Sequence, residues 1–116
     1  ASALNSYAQL LYRIKDPEAI RMAEKAMKLA PNQAAYADTY GWLLAERGDL
    51  ENGVRVLREA RLREPGNGQI RWHLASALAK AGRKLEAKDE LKAALASTSP
   101  PVLGPELSAL KASLGP

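Results

Sequence analysis

No cysteine and no phenylalanine occur among the 116 residues, and histidine appears once, as His73. Without cysteine there are no disulfides, no thiolate nucleophile and no usual structural zinc site. A single histidine excludes paired-histidine metal sites and the HExxH arrangement. No apolar run approaches the roughly 18 residues of a membrane-spanning helix. What is abundant is Ala, Leu, Lys, Arg and Glu, with 47% hydrophobic residues overall, a mixture that favours helices over sheets.

The formal net charge is +4. Acidic and basic residues nevertheless alternate, as in Arg55, Arg58, Glu59, Arg61, Arg63, Glu64 and again in Lys84, Glu86, Lys88, Asp89, Glu90, Lys92. Such mixing marks a solvated helix face, and no nucleic-acid motif accompanies the Arg55 to Arg63 stretch. No nucleic-acid partner is expected.

The dominant pattern is self-similarity. Tyr40-Gly41, Leu44, Gly48, Gly53, Leu57 and Ala60 recur 34 residues later as Leu74-Ala75, Leu78, Gly82, Ala87, Leu91 and Ala94. An earlier copy keeps the same step from Ala26 to Ala60 and from Pro31 to Pro65, but Ala8 to Gly41 and Leu11 to Leu44 step by 33. One residue is thus missing between the first two helices, at Lys15-Asp16-Pro17, where Asp16 suits an N-cap and Pro17 the first helical turn. A period of this length with two helices per unit, and small residues where they cross (Ala8, Gly41, Ala75; Ala19, Gly53, Ala87; Ala26, Ala60, Ala94), resembles the tetratricopeptide repeat family over residues 1 to 99.

The pattern and its punctuation predict helices near 3–14, 17–30, 34–47, 50–63, 68–81 and 84–97. A seventh is expected over 106–114, where Leu107, Leu110 and Leu114 share a face, as a cap on the last unit. The expected fold is an all-α right-handed solenoid of three hairpins, at about 1–33, 34–67 and 68–99, followed by a proline-rich linker and capping helix over 100–116. The start at Ala1, already inside the apolar pattern Leu4, Ala8, Leu11, is that expected of a piece of a longer chain.

Catalytic constellations are lacking. No serine sits on a strand-to-helix elbow, and His73 reads as a helix-surface histidine making a local hydrogen bond. Gly66-Asn67-Gly68 follows a helix and lacks the lysine of a phosphate loop, so it reads as a turn between repeats. Asp89 and Glu90 are neighbours on one helix, point in different directions and read as solvated. No enzyme activity, cofactor or metal is expected.

In the resembled family the first helix of each unit lines a concave groove that holds a peptide or partner helix. The resemblance therefore implies partner contacts by Asn5, Gln9, Tyr12 and Arg13, by Asp38 and Trp42, and by Gln69, Trp72 and Ser76, with Ser2, Ala45, Glu46 and Lys80 along the same faces. For Trp42 and Trp72 two readings stay open: a large rigid anchor for a partner, or packing between units. The positions that clamp a terminal carboxylate in chaperone-binding members hold Asn5, Gln9, Thr39, Gln69 and His73, too little positive charge for that task. Asp16-Pro17-Glu18-Ala19, Asp38-Thr39-Tyr40-Gly41-Trp42 and Ile70-Arg71-Trp72-His73-Leu74-Ala75 are also similar to repeats of bacterial envelope proteins, the tetratricopeptide lipoproteins associated with PEP-CTERM sorting and exopolysaccharide export. That likeness implies a scaffold in the periplasm or at the outer membrane; without it, a cytoplasmic one. The competing expectation is a structural spacer or self-association segment of a longer solenoid, with contacts through its apolar ends.

Overall fold

The computed structural model describes residues 18–97 and 105–115. The expected first helix, its tight turn at 15–17 and the proline-rich stretch 100–104 lie outside the described residues, as do Asn5, Gln9, Tyr12 and Arg13. Among the described residues there are six helices: α1 (Ala19–Leu29), α2 (Ala34–Glu46), α3 (Leu50–Arg63), α4 (Gly68–Lys80), α5 (Lys84–Leu95) and α6 (Pro105–Leu114). Helices α2 and α3 form one antiparallel hairpin and α4 and α5 the next, stacked in chain order as an all-α right-handed solenoid. No described helix is long and apolar enough to cross a membrane.

The turns follow from local chemistry. Gly48 takes φ 92° and Gly82 φ 81°, a left-handed conformation in which a side chain would be strained. At each, two hydrogen bonds close the helix end: Gly48 N–H to Ala45 O and Asp49 N–H to Leu44 O, then Gly82 N–H to Ala79 O and Arg83 N–H to Leu78 O. Asp49 then opens α3 by accepting from Asn52 N–H, and Asn67 opens α4 by accepting from the amides of Gln69 and Ile70. The Gly66-Asn67-Gly68 segment is therefore a turn and helix cap.

Burial follows the small residues. Ala19, Ala23 and Ala26 of α1, Ala60 of α3, Ala75 of α4, and Ala87 and Ala94 of α5 are all buried. Between α2 and α3 the approach is closer still. A Cβ on Gly53 would stand 3.0 Å from the backbone N of Ala45 and from Gly41 O, and one on Gly41 would stand 2.8 Å from Leu57 Cγ. Around these crossings pack Leu57, Leu74, Leu78 and Leu91, and Leu110 and Leu114 of α6 join the same core. Helix α6 thus covers the end of the α4–α5 hairpin, as its 110/114 spacing predicts.

Across the stack, α3, α4 and α5 are tied by ions. Glu90 of α5 accepts from Arg61 of α3 through one oxygen and from Arg71 Nη1 of α4, at 3.0 Å, through the other. Arg71 also donates through Nε to Pro65 O at 2.7 Å. Only about a tenth of the Glu90 side chain is exposed (11%), which corrects the expectation that Asp89 and Glu90 are both solvated. Glu90 occupies the repeat position of Val56, a buried one, so a carboxylate there is retained by two guanidinium partners.

Candidate functional site

Helices α2 and α4, the first helices of successive hairpins, lie side by side and carry the tryptophans. Trp42 is half-buried and its ring stacks on the His73 imidazole, with centroids 4.2 Å apart and planes inclined by 29°. Trp72 meets Trp42 at 5.3 Å in a tilted arrangement and His73 at 5.2 Å. These separations fall in the favourable range for offset and tilted aromatic pairs. The three rings form one cluster spanning two units.

Polar groups fix the cluster. His73 Nδ1 donates to Asp38 Oδ1 at 2.7 Å, and His73 Nε2 lies 3.1 Å from Gln69 Nε2, which donates to it. A carboxylate only accepts, so this network selects the tautomer with hydrogen on Nδ1 and holds the ring plane against Trp42. Asp38, His73 and Ser76 are all buried. At the other end of the groove Lys80 Nζ donates to Glu46 Oε1 at 2.5 Å and sits 5.6 Å from the Trp42 ring centroid. That distance is within reach of a cation–π attraction.

Beside the cluster lies an open cavity of about 540 Å³. Its walls are Trp42 and Glu46 from α2, Trp72, Ser76, Ala79 and Lys80 from α4, and Ala109, Leu110 and Ser113 from α6. Ser76 is the repeat equivalent of Trp42, 34 residues on. Where one unit places an indole, the next has only a hydroxymethyl, so Ser76 leaves its part of the cavity wall without bulk.

Of the residues expected at a partner surface, the structure brings together Asp38, Trp42, Gln69, Trp72 and Ser76. Their exposures differ. Gln69 is exposed and Trp42 partly buried, whereas Trp72 is only 7% exposed and belongs to the hydrophobic core. Trp72 therefore floors the groove and does not project from it. His73 keeps the expected local hydrogen bond, to Gln69 four residues back, but it is not a surface residue: burial and Asp38 make it the link between units. The contribution of α6 to the cavity was not legible from the groove-lining pattern, which concerns first helices alone. Among the described residues no group of three or more histidine and carboxylate side chains is arranged to hold a metal ion.

Comparison with known families agrees with this geometry. The model of the tetratricopeptide repeat family matches residues 44–114, more than half of the chain. The chain belongs to the tetratricopeptide repeat family. Among solved structures it is similar to a mutant O-GlcNAc transferase of Thermobaculum terrenum, with a TM-score of 0.77 and 26% identity over 82% of this chain, which spans only 18% of the transferase. It is also similar in fold to the Yersinia enterocolitica type III secretion translocator chaperone SycD, with a TM-score of 0.76 and 19% identity over 97% of this chain and 84% of the chaperone. Among curated protein sequences no match is found. Tetratricopeptide repeats generally mediate protein–protein interaction, and the α2–α4 face is the first-helix face of such an array.

Proposed function

We propose that this domain is a protein-interaction scaffold which holds a peptide or partner helix in the concave groove lined by α2 and α4, without catalytic chemistry of its own. The observation that carries this reading is Trp42: a partly buried indole, held by its stack on the buried His73–Asp38 pair, in the wall of an open cavity. An aromatic held in advance of binding loses little conformational freedom when a partner covers it. Gln69 offers an exposed amide beside it, and Ser76 a hydroxyl in the cavity wall.

Self-association through the C-terminal end is the weaker reading. Leu110 and Leu114 of α6 already cover the core of the last hairpin, removing the apolar surface on which a further unit would stack. The test is capture of partners from cell extract by the native domain, by Trp42→Ala and by Arg58→Ala, each checked for helicity. Arg58 lies on the opposite, α3–α5 side, where it pairs with Glu86 at 2.6 Å. Partners held by the native domain and Arg58→Ala but lost by Trp42→Ala support the groove; partners kept by Trp42→Ala, with the protein's size rising with concentration, contradict it.

A further inference from the structure

The inference here rests on the groove reading and names what the groove accepts. We propose that Trp42 and Glu46 form a cation subsite, occupied in the free protein by the chain's own Lys80, that receives an arginine or lysine side chain of the partner peptide.

The seat is defined by the ion already in it. Lys80 Nζ lies 5.6 Å from the Trp42 ring centroid and 2.5 Å from Glu46 Oε1, so an indole face and a carboxylate converge on one positive charge. The occupant is lightly held. Lys80 is the last residue of α4, its side chain is 43% exposed against 24% for Glu46, and it reaches the seat along a flexible four-carbon stem. An exposed ion pair of this kind is easily exchanged for hydration.

The cavity next to the seat is far larger than one ammonium requires, and Trp72, Leu110 and Ala109 make its walls largely apolar while Ser76 and Ser113 supply hydroxyls. The matching ligand is a peptide residue pair, one cationic and one aliphatic. Arginine fits better than lysine, because a planar guanidinium stacks on an indole and forks onto a carboxylate, and is more weakly hydrated than an ammonium. On entry of the partner's cation Lys80 swings into solvent, where its charge no longer repels a basic ligand. The Asp38 carboxylate, one turn back on α2, is bound to His73 and stays with it.

The test uses the two tryptophans as reporters, since the chain has only these two indole N–H groups. A blocked nonapeptide of serine and alanine with a central Leu-Arg-Leu is titrated into ¹⁵N-labelled protein, alongside the same peptide with glutamine or glutamate for arginine. The arginine peptide is expected to move the Trp42 indole resonance in a saturable way, at concentrations about three- to fivefold below those the glutamine peptide needs. Glu46→Gln should abolish that preference, and Lys80→Ala should strengthen binding of the arginine peptide. Equal movement by the arginine and glutamine peptides would leave the groove standing and overturn the cation subsite. Weaker binding by Lys80→Ala would overturn it too, making Lys80 a contact and not a stand-in. No movement of Trp42 with any of the three peptides would likewise overturn it, while the groove reading keeps its own test by Trp42→Ala capture.

Discussion

The α2–α3 and α4–α5 hairpins are built on the same positions but not to the same tightness, and they differ most where they face each other. Leu44 and Leu78, Gly48 and Gly82, Leu57 and Leu91, Ala60 and Ala94 are equivalent and do equivalent work. At the crossing, however, the first hairpin has Gly41 against Gly53 with no room for a Cβ, whereas the second carries the methyls of Ala75 and Ala87, both fully buried. On the groove side equivalence ends: Asp38 corresponds to Trp72, Thr39 to His73, Trp42 to Ser76 and Glu46 to Lys80. The contacts that cross between α2 and α4, His73 to Asp38, Trp42 to Trp72 and His73, and Lys80 to Glu46, are all made by these departures. The repeat supplies the frame, and the exceptions to it supply the chemistry.

The comparison breaks most sharply at the glycine crossing. Gly53→Ala places a methyl 3.0 Å from two backbone atoms of the facing helix, and overpacking less the helix propensity gained should leave a net cost of about 2 kcal/mol in urea unfolding. The reverse change in the second hairpin, Ala87→Gly, should cost about 1–2 kcal/mol, through backbone entropy and the loss of a buried methyl. Stabilisation by Gly53→Ala would mean that the first crossing has room for a methyl after all, as the second has. Next in size is Glu90→Gln, which leaves Arg61 and Arg71 facing a neutral amide. Both guanidiniums are partly exposed and can turn to water, so the expected loss is about 1–2 kcal/mol, larger than for Arg58→Ala, whose exposed partner contributes about 0.5 kcal/mol or less.

Asp38→Asn weakens the one hydrogen bond that orients His73 from the other unit. A loss of about 1 kcal/mol is expected, together with broadening or displacement of the Trp42 indole resonance as the stack loosens. An unchanged resonance would show that the ring stack holds without the carboxylate. The smallest effect concerns the α1–α2 contact, where Tyr40 donates to Glu24 Oε2 at 3.0 Å. Burial first, then the hydrogen bond to Glu24 and its charge, push the Tyr40 phenol above the usual tyrosine range near 10. A raised value in the folded state means that this contribution is whole below about pH 10 and is lost as pH rises through the raised value. Tyr40→Phe should therefore destabilise by about 0.5–1 kcal/mol near neutrality, and the gap to the native protein should close in alkaline melts.

The architecture was legible because it rests on spacing. The expected helix 50–63 coincides with α3, the others that fall on described residues differ at their ends by a few residues at most, and both glycine turns stand where the repeat puts them. The depth of individual groove residues was not legible, because it depends on partners 30 or more residues away. His73 reads as a surface residue until Asp38 is opposite it, and Trp72 stays open between anchor and packing until Trp42 and the core that includes Leu110 are around it. A signal existed for Glu90. Aligned with the middle unit it falls on Val56, an apolar position, and a carboxylate there requires buried partners.

The most direct test is a map of amide and indole resonances of the ¹⁵N-labelled domain as a captured partner is added. If the α2–α4 groove holds the partner, shifts cluster on Asp38, Trp42, Gln69, Ser76, Lys80 and the facing turn of α6 around Ser113. Shifts confined to Arg55, Arg58, Leu62 and Leu85 on the α3–α5 side would contradict that reading.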